Sequence, residues 1–179
     1  MAEVVVTRAL RFRCLFAALA FLIVFVRLLP LGPGSGGLPG PDLLVGLAFA
    51  WVLRRPDYVP VLLVAAAVLT TDVFFLRPLG LWTACVILGL EFLRAREPLS
   101  RDLPFLFEWG MVASTILAMT LGYVLVLALF AVEQPALGLT LLQMLATILA
   151  YPLIVLFSAR AIGLKKIPPG GVDQLGHRL

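Results

Sequence analysis

Residues 41–80 read P-D-L-L-V-G-L-A-F-A-W-V-L-R-R-P-D-Y-V-P-V-L-L-V-A-A-A-V-L-T-T-D-V-F-F-L-R-P-L-G. Two apolar runs, 43–53 and 59–76, meet at Arg54-Arg55-Pro56-Asp57, and an acidic residue stands towards the far end of each, Asp42 and Asp72. The pattern predicts a membrane hairpin. An ionisable side chain at the bilayer centre costs about 3 kcal/mol or more, so Asp72 in particular calls for a partner and marks a candidate functional position.

The rest of the chain agrees with a membrane setting. Of 179 residues, 62% are hydrophobic and 13% charged, with mean hydropathy +1.09. Soluble domains are about half apolar and about a quarter charged. No polar stretch is long enough for a separate soluble domain, so residues 1–179 read as one transmembrane domain. The pI near 9.6 suggests nucleic acid at first sight, but the basic residues sit in short connections and form no stripe, so no nucleic-acid partner is expected. Cys14 and Cys85 lie within apolar runs near opposite membrane faces and are expected to be free thiols. Arg8, Arg11 and Arg13 before an apolar run resemble a signal peptide, but Ala18-Leu19-Ala20 falls in mid-run, which favours an uncleaved first helix.

Six spans are expected, at about 12–29, 42–53, 59–76, 79–93, 109–132 and 135–159, followed by a basic cytoplasmic tail, 160–179. The last two, 24 and 25 residues without a charge, exceed the ~20 residues that cross a ~30 Å core. The second, at about 18 Å of helix, must borrow interfacial residues, thin the bilayer or be shielded by its neighbours. Basic residues alternate between connections as six crossings require: 12 of 14 fall on the side of the two termini, and only Arg27 and Arg77 on the other. Both termini are therefore expected in the cytoplasm. Trp51, Tyr58 and Trp109 fall at expected inner boundaries and Trp82 at an outer one, the places of an aromatic belt.

The connection 30–41 has five Gly, four Pro and no charge and reads as a flexible linker; its G-P-G-S-G-G lacks the strand and helix that a dinucleotide loop needs. Residues 94–108 mix charge with Leu103, Phe105, Leu106 and Phe107 and are expected to lie along the headgroups. Gly110 with Ser114, Ala118 with Gly122, and Ala146 with Ala150 would let helix backbones approach. No enzyme motif is present, and a metal site or serine hydrolase lacks its ligands or base: His177, the single histidine, lies in the tail, and neither lysine is within a span beside Ser114 or Ser158. No catalytic residue and no cofactor is expected.

The informative charges are Arg27, Asp42, Asp72 and Arg77, all brought to the outer half of the membrane. In the plain reading Asp42 caps the second helix, Arg27 and Arg77 reach the headgroups, and Asp72 is satisfied by Thr70, Thr71 or nearby backbone. In the sharper reading Asp72 is held by a positive or donor group from another segment, with Arg27 and Arg77 the candidates, and this contact fixes the outer helix ends against a partner. Arg54, Arg55, Arg94 and Arg96 are expected to set orientation and attract anionic lipid of the bilayer, and Glu91 to pair with Arg94.

Pro41-Asp42-Leu43-Leu44, the run from Trp51 to Arg54-Arg55-Pro56, Asp72, and Pro78-Leu79-Gly80, with Tyr151-Pro152 before a basic end, resemble the MreD family of bacterial rod shape-determining membrane proteins in order and spacing. One departure is Val68-Leu69-Thr70-Thr71 before Asp72, where a glycine-bearing approach is expected. The resemblance implies an all-α bundle of six transmembrane helices, similar to the substrate-binding subunits of energy-coupling-factor vitamin transporters. It further implies an inner-membrane scaffold of cell elongation that associates with MreC and, directly or through it, with the peptidoglycan glycosyltransferase and transpeptidase. The alternative is a small-molecule-binding membrane subunit of a transporter.

Overall fold

The structure is a computed structural model and describes residues 2–29, 39–100, 103–132 and 136–164. Within them lie six α-helices: α1 (Ala2–Leu28), α2 (Leu43–Val52), α3 (Val61–Phe74), α4 (Leu81–Ser100), α5 (Phe105–Leu129) and α6 (Leu137–Arg160), with a 3-10 turn Pro56–Tyr58 between α2 and α3. Most of the 30–41 linker and the tail from residue 165 lie outside the described residues.

α2 is the centre of the bundle. Its ten residues are apolar on every face, the composition of a helix surrounded by protein, and all but Leu43 are buried. It packs chiefly on α6 and α4, with α1 alongside. A helix of about 15 Å is tolerable here because its neighbours shield it, the third of the options open to so short a run. The expected hairpin is corrected in one respect: α3 packs mainly against α4 and α1, not against α2. Trp51 is also displaced from its expected role. It is fully buried, with Phe12 and Phe16 of α1 edge-on at 6.4 and 5.5 Å, and forms core, not an interfacial belt.

α4 overruns its expected end. Val86, Leu90, Leu93, Glu97 and Ser100 are all buried at alternating spacings of four and three, so the face that packs inward continues through the charged stretch past Pro98. Residues 94–108 are therefore no long surface segment: only 101–104 separate α4 from α5. Large apolar side chains that point outward, among them Leu62, Leu88, Leu125 and Leu153, cover the outside of the bundle. Three helices, in α1 from Ala9 to Leu28 and the whole of α5 and α6, are long and apolar enough to cross a membrane. This is an all-helical membrane protein.

Close approach is made by two glycines. A Cβ on Gly46 of α2 would collide with the Ile154 side chain of α6, and one on Gly89 of α4 would stand 3.0 Å from Thr115 Cγ2 and 3.1 Å from Phe49 Cζ. Gly110 and Gly122, expected to serve helix packing, have open space where a Cβ would go. Overpacking a tight site costs about 1–3 kcal/mol. Gly89→Leu is therefore expected to lower the unfolding temperature of the detergent-solubilised protein clearly, while Gly110→Leu leaves it within a degree or two; equal effects would refute the assignment.

Candidate functional site

Polar groups gather at the two ends of α2. At its C-terminal end the Arg54 side chain turns inward and is 5% exposed; Nη1 donates to Glu108 Oε1 at 3.0 Å and to the Ala50 carbonyl at 2.8 Å. The Tyr151 hydroxyl donates to the same Glu108 oxygen at 2.7 Å. Glu108 stands in the first turn of α5 and Arg54 just beyond the last turn of α2, so each charge faces the helix end of opposite sign. The neighbouring Trp109 donates Nε1–H to the Ile148 carbonyl at 2.9 Å. Pro152, four residues on, has no N–H to offer that carbonyl. Trp51 Nε1 donates to Ser158 Oγ at 3.2 Å, a third tie to α6.

The other arginines of this end close the α2–α3 turn. Arg13 of α1 donates twice to the Asp57 carbonyl, at 3.1 and 3.0 Å, and Arg94 of α4 donates to Val59 O at 2.7 Å while its Nε meets Glu91 at 2.9 Å, the expected pair. The reading of all four basic residues as lipid contacts thus fails for Arg54, which the Glu108 carboxylate holds in the interior, and Arg94 is engaged with the turn. Arg55 remains half-buried, and Arg96 lies on the surface over the Phe92 ring at 4.4 Å. Neither Glu108 nor Tyr151 emerges from the sequence. The available signal is a single acid at the edge of a long apolar run, matched by an arginine at the edge of another.

At the N-terminal end Asp42 caps α2 as expected, Oδ1 accepting from Val45 N–H at 3.3 Å. Its own N–H donates to Thr147 Oγ1 at 2.8 Å, and Oδ2 lies 3.7 Å from Arg27 Nη1. One residue joins α1, α2 and α6.

Asp72, fully buried on α3, has a donor partner from another segment, but not one of the two expected. Its Oδ2 accepts from Gly80 N–H (3.2 Å), Thr83 N–H (3.2 Å) and Thr83 Oγ1–H (2.8 Å). It is a carboxylate cap placed on the N-terminus of α4 by the preceding helix. The chain reverses directly after α3, with Leu76 at φ 51° and Gly80 at φ 81°, which returns the first N–H groups of α4 over Asp72. Arg77 instead lies over the Trp82 ring at 5.4 Å and Arg27 over Phe75 at 5.1 Å. Of the four expected site residues, the structure pairs Arg27 with Asp42 and leaves Asp72 and Arg77 with other partners.

Arg27, Asp42 and Arg77 do share a cavity of about 570 Å³, whose wall also includes Trp82, Tyr123 and Gln143; Asp72 is not part of it. A second hollow, about 480 Å³ and almost wholly apolar, lies between α4 and α5, lined by Leu88, Gly89 and Phe92 of α4 and by Ser114, Ala118 and Gly122 of α5.

Glu108→Ala strands a buried guanidinium and is expected to cost about 3–5 kcal/mol, whereas Arg54→Met with Glu108→Leu is expected near neutral. Thermal unfolding of the single and double variants in detergent checks this, and additive losses would refute the pairing. For Asp72, loss of the cap in Asp72→Ala is expected to cost about 1–2 kcal/mol, with Asp72→Asn milder because its amide oxygen still accepts. A charge-dependent role would make the two equally severe.

Among the described residues no three His, Cys, Asp or Glu side chains come together as a metal site. Comparison with protein families, with curated proteins and with solved structures finds no match to this chain.

Proposed function

We propose that this chain is a multi-pass protein of the bacterial inner membrane that crosses it six times with both termini cytoplasmic. We further propose that it serves as a non-enzymatic assembly component of the cell-elongation machinery, in the manner of the MreD proteins that its order of motifs resembles. Its partner is MreC, and through MreC or directly it meets the peptidoglycan glycosyltransferase and transpeptidase. Support for the orientation comes from Arg13, Arg54, Arg55 and Arg94, which share the end of the bundle that holds Glu108, while Arg27 and Arg77 lie at the Asp42 end.

The observation that carries the assembly reading is the α4–α5 groove. Within a bilayer, helices associate through close packing and not through hydrophobic exclusion, so a lane of small residues is where a foreign helix gains most contact. Ser114, Ala118 and Gly122 recur every fourth residue, and the α5 backbone is accessible at Gly122. The groove suits one apolar helix of a single-span partner. Asp42, Asp72, Arg54 and Glu108 are engaged in caps and an ion pair inside the bundle, which fits a scaffold whose surface does the recognising.

Purification of the full chain in mild detergent is expected to bring down a single-span protein with a large periplasmic domain. Ala118→Leu with Gly122→Leu is expected to cut that recovery at least tenfold and to round the cells, with the unfolding temperature unchanged because Ala118 is exposed and a Cβ at Gly122 meets nothing within 4 Å. A cysteine placed between residues 32 and 40 is expected to be labelled from the periplasm. Labelling from the cytoplasm alone would overturn the orientation, and recovery of an ATPase module or a vitamin in place of the single-span protein would move the chain to the transport subunits.

A further inference from the structure

We infer that the cavity at the Asp42 end is a binding site for an anionic phosphate group carried on an apolar stem. The inference does not rest on the assembly reading. It starts from the charges on the wall: two arginines and one aspartate. Asp42 is already engaged as the cap of α2 and with Arg27 at 3.7 Å. Asp72 lies outside the wall, its Oδ2 turned to the N-terminus of α4. Arg77 is different. Among the described residues it has no carboxylate within ion-pair distance, and its contact with Trp82 at 5.4 Å is through the ring face, which leaves guanidinium N–H groups to donate.

The uncharged groups of the wall lean the same way. Trp82 Nε1–H, a donor only, is buried and has no acceptor among the described residues. A buried donor without a partner leaves its desolvation uncompensated, a cost that an acceptor brought within reach of it removes. Tyr123 and Gln143 add further donors from α5 and α6. A guest rich in acceptors and poor in donors matches this wall, and a phosphate is that guest; its charge is opposite to Arg77 and its oxygens accept from several directions at once. Val45, Met119 and Met144 make another part of the lining apolar, and about 570 Å³ is the size of a small-ligand site. The guest is therefore amphipathic. A membrane offers such a group on an anionic lipid, and the aqueous phase offers it as a free phosphate ester; the recognising chemistry is the same.

The test uses the full chain purified in an uncharged detergent, with phosphatidylglycerol, phosphatidylcholine or inorganic phosphate added, read by native mass spectrometry and by the unfolding temperature. Phosphatidylglycerol is expected to bind at least tenfold more tightly than phosphatidylcholine. Arg77→Gln is expected to weaken it about tenfold, the loss of a charge-assisted hydrogen bond, and Arg77→Lys to recover part of that loss. Trp82→Phe keeps the ring, removes only the N–H, and is expected to lose several-fold, which keeps the test valid should Arg77→Gln fold poorly. Arg96→Gln, exposed at the other end, is expected to change nothing. A response to phosphatidylglycerol alone assigns the guest to lipid, and an Arg77-dependent rise in unfolding temperature with inorganic phosphate assigns it to a soluble source. Equal binding of the two lipids with no phosphate response, or binding unmoved by the Arg77 and Trp82 variants, would overturn the inference.

Discussion

Enclosing α2 on every side removes the usual means of ending a membrane helix. A helix that reaches the headgroups can leave its terminal N–H and C=O groups to water, but those of a ten-residue helix inside a bundle must find protein partners. Asp42 answers at one end with a side-chain cap. At the other, Arg54 donates to the Ala50 carbonyl and thereby brings a positive charge into the interior, which in turn requires Glu108 and the Tyr151 hydroxyl. The buried ion pair follows from the shortness of α2. Its geometry also sets where α5 must begin and which turn of α6 faces it.

The two ends meet this requirement in different ways. Around Arg54, the side chains of Arg13, Arg54 and Arg94 each meet a carbonyl or a carboxylate. Around Asp42, Asp42 and Thr147 are paired and Asp72 is paired through Oδ2 but not Oδ1, and beside them lies a cavity with Arg27, Arg77 and Trp82 on its wall. The Asp42 end thus holds the cavity, and the Arg54 end holds the buried ion pair.

Much of the helical architecture was legible in the sequence, because helices follow the apolar runs and the charges and prolines that break them. The long runs of α5 and α6, the break at Arg54-Arg55-Pro56 and the caps at Asp42 all read directly. What could not be read depends on which face of a helix is inward. Glu108 looked like part of a charged connection because α4 and α5 were expected to end and start in different places; only the inward register of Leu93, Glu97 and Ser100 makes that stretch helical. The partner of Asp72 was sought among positive charges, since charge is visible in a sequence. The N-terminus of α4 carries its positive potential in backbone N–H groups, which no residue type announces.

The small residues make the same point about solvent. In water, an apolar position on a helix is an inward position, and periodicity reveals the face. In a bilayer the lipid-facing side is as apolar as the core, so Gly46 and Gly89, which admit neighbouring side chains, cannot be told by pattern from Gly110 and Gly122, which face open space. The four differ only in what stands opposite them. Inside, a missing Cβ makes room for Ile154, Thr115 or Phe49; outside, the same absence lowers a lane in the surface along α5, where nothing within the described chain fills it. Close packing is the main attraction left to helices in lipid, so that lane is where the bundle has most to gain from another chain.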